Sequence, residues 1–179
     1  MSETPTVDKK PARWRRWVLE GLVFLVLLAA LQTWQTRNAP RGPAPSFAGQ
    51  LVDGQPFDLA TWRQQHPGQA VLIYFWAEWC GICKTTAGSV TALSEDWPVI
   101  TVAIQSGPAG KVAQTMRQHD YHWPTLPDPE AEMLRQYGFR GVPAFVIIDP
   151  NGNVRATSFG YTSEIGLRLR LWWASHTNT

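Results

Sequence analysis

At 179 residues, with 44% hydrophobic and 17% charged side chains, the chain is long enough for one core-forming domain plus an appendage, and it leans more apolar than an average soluble domain. A formal net charge of +2, with no basic, aromatic-laced stripe in the body of the chain, argues against nucleic acid as a partner. Neither a glycine-rich phosphate loop nor an internal repeat is present.

Lys9, Lys10, Arg13, Arg15 and Arg16, against only Glu3 and Asp8, lead into the apolar run WVLEGLVFLVLLAALQTW from Trp17 to Trp34. A helix rising about 1.5 Å per residue over that run approaches the roughly 30 Å of a hydrocarbon core. Gly21 to Leu31 carries no charge, Glu20 lies within a turn of the basic end, and Trp14, Trp17 and Trp34 stand where interfacial anchors belong. The expectation is one N-terminal transmembrane helix, in contact with the lipid bilayer through residues 17–34. A cleaved secretory signal is the rival, but Leu31, Gln32, Thr33 and Trp34 offer no small-x-small cleavage site. The positive-inside rule keeps residues 1–16 in the cytoplasm and exports the chain beyond Trp34.

Residues 35–45, QTRNAPRGPAP, read as a proline-rich, semi-extended tether. A domain is expected over 46–175, with a short tail at 176–179. In GQLVDGQPFDL, Asp53-Gly54 between short extended runs predicts a hairpin. Ala60 to Gln65 reads as a short helix closed by HPG. AVLIYFW, Ala70 to Trp76, is a continuous apolar run of the kind buried on both faces of a sheet. Cys83 to Leu93 is helix-compatible, and PVITVAI, Pro98 to Ile104, is a second buried strand. A helix over Ala109 to His119 comes next, then a short one after Pro129, EAEMLRQY, that stops at Gly138. PAFVIID, Pro143 to Asp149, is a third strand, PNG a turn, and Asn153 to Phe159 its partner. Ser163 to Ser175 closes the domain as an amphipathic helix. This order predicts an α/β domain whose mixed central sheet is flanked by helices on both faces.

WAEWCGICK, Trp76 to Lys84, holds both cysteines, Cys80 and Cys83, where the first central strand ends and its helix begins. In open α/β sheets chemistry gathers at that edge. A tetrahedral zinc site needs four ligands and the pair supplies two; His119 and His122 are spaced too closely for the usual pattern and read as a solvated helix end. A structural disulfide over so short a loop adds little stability. Thiol–disulfide exchange has what it needs: Cys80 at a helix N-terminus, where N–H groups and the dipole favour thiolate, and Cys83 one turn later to attack a mixed disulfide. Gly81 gives the loop its tight path, Trp79 belongs to an apolar rim, Trp76 to the core, and Trp172 and Trp173 to packing. Neither a metal nor a cofactor is expected.

FWAEWCGICK resembles the active-site segment of the thioredoxin family, and YGFRGVPAFVIIDPNG, Tyr137 to Gly152, resembles the segment carrying that family's cis-proline. The likeness extends over about 46–175. The anchor, tether and added hairpin resemble the family's membrane-tethered, exported branch, which includes cytochrome c maturation reductases. Within it they are similar to the suppressor-of-copper-sensitivity thioredoxin-like proteins of Gram-negative bacteria. The resemblance implies a thioredoxin-like fold and a protein-disulfide oxidoreductase using Cys80 and Cys83 on client proteins with disulfides or thiols. It also implies a membrane-embedded electron-transfer partner, and a bacterial inner membrane with the catalytic domain in the periplasm. Val142-Pro143 takes the family's cis bond, which is cheap only before proline. With Trp79, Gly81 and Ile82, it would hold a client's extended chain by strand-like pairing.

The chain departs from the family at three positions. Tyr74 replaces the buried acid of thioredoxins, Thr86 the glutamate of many tethered reductases, and Gly88 the helix-kinking proline. Cys83 must then lose its proton through water, Tyr74, Glu78 or another group, and Glu78 lies in phase to be exposed. Gly81-Ile82 carries neither the proline of the reducing type nor the histidine of the strongly oxidising type. The tether favours a reductase or isomerase fed through the membrane; a dithiol oxidase is the alternative. A binding module of another class, capturing copper(I) on the soft thiolates, also stays open.

Overall fold

A computed structural model describes residues 13–36 and 40–176, which divide into two units at Trp34. Residues 1–12, 37–39 and 177–179 lie outside the described residues. They hold most of the expected cytoplasmic segment, part of the tether and most of the tail. Most of α1 (Arg13–Thr36) belongs to the first unit, and its described side chains are those of 14–27, 29 and 30. Arg16 Nε donates to Glu20 Oε1 at 2.9 Å across one turn. Among the described residues no helix is long and apolar enough to cross a membrane.

In the second unit the chain runs through β1 (Gly42–Pro43), β2 (Ala48–Gln50), β3 (Pro56–Asp58), α2 (Leu59–Gln64), β4 (Val71–Trp76) and α3 (Gly81–Ser94). It continues through β5 (Val99–Ile104), α4 (Ala109–Gln118), β6 (Thr125–Asp128), α5 (Glu132–Gln136), β7 (Ala144–Ile148), β8 (Asn153–Phe159) and α6 (Glu164–His176). Six strands form one sheet in the order β1-β8-β7-β4-β5-β6, and β2 with β3 forms the hairpin that Asp53-Gly54 predicts. β4, β5 and β6 are parallel, whereas β7 runs antiparallel to both β4 and β8.

All six residues of β4 are buried, and their two-residue alternation divides the core. Leu72, Tyr74 and Trp76 meet Ala87, Val90 and Leu93 of α3 and Leu167 and Leu171 of α6. Val71, Ile73 and Phe75 meet Leu59, Leu134 and the hairpin's Phe57 on the other face. Burying each large apolar side chain contributes roughly 1.5–3 kcal/mol, so this strand fastens both helical layers to the sheet. The mixed sheet with helices on both faces is the architecture expected.

Some elements differ from their sequence pattern. Thr125–Asp128 is a strand that TLPD does not advertise; it lies at the sheet edge, where Pro127 is tolerated. Gly42–Pro43, within the expected tether, pairs with β8, and Ala44 N donates to Gly152 O at 2.8 Å, so sheet pairing begins before residue 46. α5 starts only at Glu132, because the Asp128 carboxylate takes the N–H groups of Glu132 at 2.8 Å and Met133 at 2.9 Å. Trp172 and Trp173 lie outside the core: they are 56% and 54% exposed, Trp172 stacks on His176 with centroids 4.7 Å apart, and Leu167, Leu171 and Ala174 form the buried stripe of α6.

Candidate active site

Three strand ends meet at one edge of the sheet. β4 finishes at Trp76 and leads through Ala77 to Trp79 into α3, while β5 finishes at Ile104 beside it. The antiparallel register sets Phe75 opposite Ala144, which brings the start of β7, and with it Val142-Pro143, to the same edge.

Cys80 is the N-cap of α3, with extended backbone (φ −87°, ψ 104°), and its Sγ accepts from Cys83 N–H at 3.1 Å. The two sulfurs are joined as a disulfide. Cys80 Sγ lies 3.7 Å from Val142 O, the Val142-Pro143 bond is cis, and Pro143 O accepts from Gly160 N at 2.8 Å. Cys80 is 7% exposed and Cys83 2%, yet Trp79 and Ile82 beside them are 60% and 52% exposed. The Trp79 indole is held by donating to Gln105 O at 3.2 Å. Gln105 has φ 47°, a conformation that costs energy for a side-chain-bearing residue and recurs at functional sites. Sequence reasoning missed Gln105; its position directly after β5 was the available clue. Gly81 does not serve the loop as expected. It is the first residue of α3, and a Cβ there would meet no atom within 4 Å.

Beneath the pair, Tyr74 OH donates to Cys83 O at 3.1 Å and lies 3.1 Å from Thr86 Oγ1, which donates to the same carbonyl at 3.0 Å. Tyr74 stacks on Phe145 with ring centroids 4.9 Å apart. Burial pushes its phenol well above the usual range, with the Thr86 bond opposing. Two hydroxyls thus occupy the places of two acids and bind the helix backbone.

Glu78 is not turned to solvent. Its carboxylate pairs with Lys111, accepts from Thr115 Oγ1 at 3.2 Å, and has a side chain only 22% exposed. The Lys111 hydrogen bond holds this carboxyl below its ordinary range. His119 stacks on Tyr121 at 5.4 Å and the exposed His122 faces Asp120 at 2.9 Å. Among the described residues no group of three or more His, Cys, Asp or Glu side chains could hold a metal ion.

The chain is 32% identical over 154 residues to a "Thioredoxin-like protein" of Haemophilus influenzae, covering 86% of this chain and 89% of that one. It is 25% identical over 172 residues to "Thiol-disulfide oxidoreductase ResA" of Geobacillus thermodenitrificans, covering 88% and 95%. Among solved structures it is similar to the exposed lipoprotein thioredoxin Etrx1 of Streptococcus pneumoniae, with a TM-score of 0.60, 26% identity and coverage of 72% and 99%. A thiol:disulfide interchange protein DsbE of Chlorobium tepidum shares the fold, with a TM-score of 0.66, 24% identity and coverage of 76% and 99%. The AhpC/TSA family model matches residues 40–157, the span that carries both the dithiol edge and the Val142-Pro143 strand. With that match and the 32% identity, the chain belongs to the AhpC/TSA family and has the thioredoxin-like fold.

Proposed function

We propose that this chain is a thiol:disulfide oxidoreductase of the DsbE and ResA type, anchored by residues 17–34 and acting on exported client proteins through Cys80 and Cys83. The observation that carries the reading is the meeting of Cys80 Sγ, at the start of α3, with Val142 O under the exposed Trp79–Ile82 rim. In the reductive direction the Cys80 thiolate attacks a client disulfide. A Cys80–client disulfide forms, and the first client sulfur leaves as thiolate. Cys83 then attacks Cys80 Sγ, closing the disulfide and releasing the second client sulfur. Two electrons pass to the client. The Cys83 N–H and the N-terminus of α3 stabilise negative charge on Cys80. Val142, with Trp79 and Ile82, aligns the client chain along the Pro143 strand edge.

A membrane-embedded donor returns the electrons, since the compartment outside the cytoplasm is kept oxidising. The basic flank before the apolar run supports an inner-membrane anchor, a cytoplasmic N-terminus and a periplasmic domain. This arrangement favours reductase or isomerase over oxidase, and the resemblance of the anchor, tether and hairpin to the suppressor-of-copper-sensitivity branch supports the same reading.

Trapping tests the assignment. Cys83→Ala should accumulate mixed disulfides with clients through Cys80, whereas Cys80→Ala should trap none. Equal trapping by both would overturn the division between nucleophile and resolver. The reduction potential sets the direction: a value near thioredoxin's, about −270 mV, supports a reductase, and one near DsbA's, about −120 mV, an oxidase. Tight copper(I) binding by reduced protein that fails to reduce insulin would replace the enzyme reading with the binding module.

A further inference from the structure

We propose that Glu78 receives the proton that Cys83 must lose before it can resolve a mixed disulfide, through a single water between them. The inference rests on the exchange reading above and deepens it. Cys83 is 2% exposed, and a client bound at Cys80 would cover it further. The nearest side-chain hydroxyls are no use as bases at neutral pH. Tyr74 OH and Thr86 Oγ1 are directed at Cys83 O, and a neutral phenol or alcohol does not take a proton from a thiol. A carboxylate does, and it has been drawn into position.

Cys83, Glu78 and Thr115 line one cavity of about 10 Å³, which is room for about one water. The Glu78 backbone N–H is fixed by donating to Ser106 Oγ at 3.0 Å, its Oε1 pairs with Lys111, and its Oε2 accepts from Thr115. Carboxylate oxygens retain lone pairs beyond these two bonds. The side chain is 22% exposed, so the same group reaches from the cavity to solvent. The Lys111 hydrogen bond, with Thr115 and Lys84, favours its ionised form against the opposing effect of burial, so it enters the step as a carboxylate. Tyr121 and His119 also line the cavity, and His119 is the rival base.

The step balances without a further reagent. The Cys83 proton passes to water as that water passes one to Glu78. The Cys83 thiolate attacks Cys80 Sγ, the Cys80–client bond breaks with its electron pair on the client sulfur, and Glu78 releases its proton at the solvent side.

Reduced full-length protein mixed with Ellman's reagent separates the two steps. The first thionitrobenzoate reports attack by Cys80, and the second reports resolution by Cys83. In Glu78→Gln the second phase should slow by about tenfold or more at pH 7 and recover as pH rises toward the thiol's own titration, while the first phase changes little. Glu78→Asp, which keeps the carboxylate, should restore part of the rate. An unchanged second phase in Glu78→Gln across pH would overturn the proposal. Slowing in His119→Asn but not in Glu78→Gln would do the same, by transferring the role to the imidazole. If the parent protein shows no second phase, the exchange reading itself fails, a result distinct from a parent that resolves and a Glu78→Gln that resolves equally well.

Discussion

Tyr74 lies buried beneath the cysteine pair. Its position invites comparison with a buried acid, but its hydroxyl is spent on the backbone carbonyl of Cys83, shared with Thr86. Tyr74→Phe removes one of two side-chain donors to that carbonyl and leaves the other in place. A net hydrogen bond of this kind is worth roughly 0.5–1.5 kcal/mol, so denaturant unfolding should register a loss of about 1 kcal/mol. A loss several times larger would mean that the phenol, not Thr86, holds the start of α3. The substitutions at Tyr74 and Thr86 are legible in the sequence, because each occupies a fixed offset from a cysteine. The turn of Glu78 away from solvent is not, because Lys111 and Thr115 lie 33 and 37 residues away on α4.

At the scale of elements, α3 carries an exposed Gly88 in its interior, where a Cβ would meet nothing within 4 Å. Glycine in a helix interior costs roughly 0.5–1 kcal/mol relative to alanine, so Gly88→Ala should raise Tm and stability by about that amount. A lower Tm would show that α3 needs the glycine's backbone freedom. The short α2 is held at its start by Asp58, whose Oδ1 accepts from Thr61 N at 2.7 Å. That backbone bond lowers the Asp58 carboxyl below its ordinary range. The stabilisation is therefore complete above the unfolded aspartate value of about 3.9 and is lost as pH falls through the lower folded value. Asp58→Asn keeps a capping oxygen without titrating there, so its stability should decline less steeply with acid. Superimposable acid limbs for the two proteins would remove Asp58 from the acid response. The pattern of apolar runs reveals β4, β5 and β7, but not β6 or the late start of α5. The Asp128 cap acts from the end of one element on the first turn of the next.

At the scale of the whole molecule, the proposed anchor makes a direct prediction. Full-length protein should remain in the membrane pellet through high salt and alkaline carbonate with its N-terminus intact, because burying a long apolar run outweighs electrostatic attachment. Release of a soluble form beginning after Leu31 would mean that the segment is a cleaved signal. The domain's active edge depends on a strand reversal. β7 runs against β4, so the chain enters β7 where β4 ends, and Val142 O reaches Cys80 across 62 residues.

The order of residues alone is enough to establish the α/β class, the continuous strands, the hairpin at Asp53-Gly54 and a cysteine pair at the start of a helix. Each is written in local periodicity or in spacing along a few residues, and a strand covered on both faces can hardly read otherwise than VLIYFW. Long-range packing was needed to turn Trp172 and Trp173 outward, to extend the sheet through Gly42–Pro43, and to place Glu78 against the cavity it shares with Cys83. Those outcomes depend on what distant elements place opposite a side chain. An amphipathic helix can settle on either of two apolar stripes until a sheet supplies the partner, and an acid in an exposed phase turns inward when a lysine and a threonine arrive from another helix.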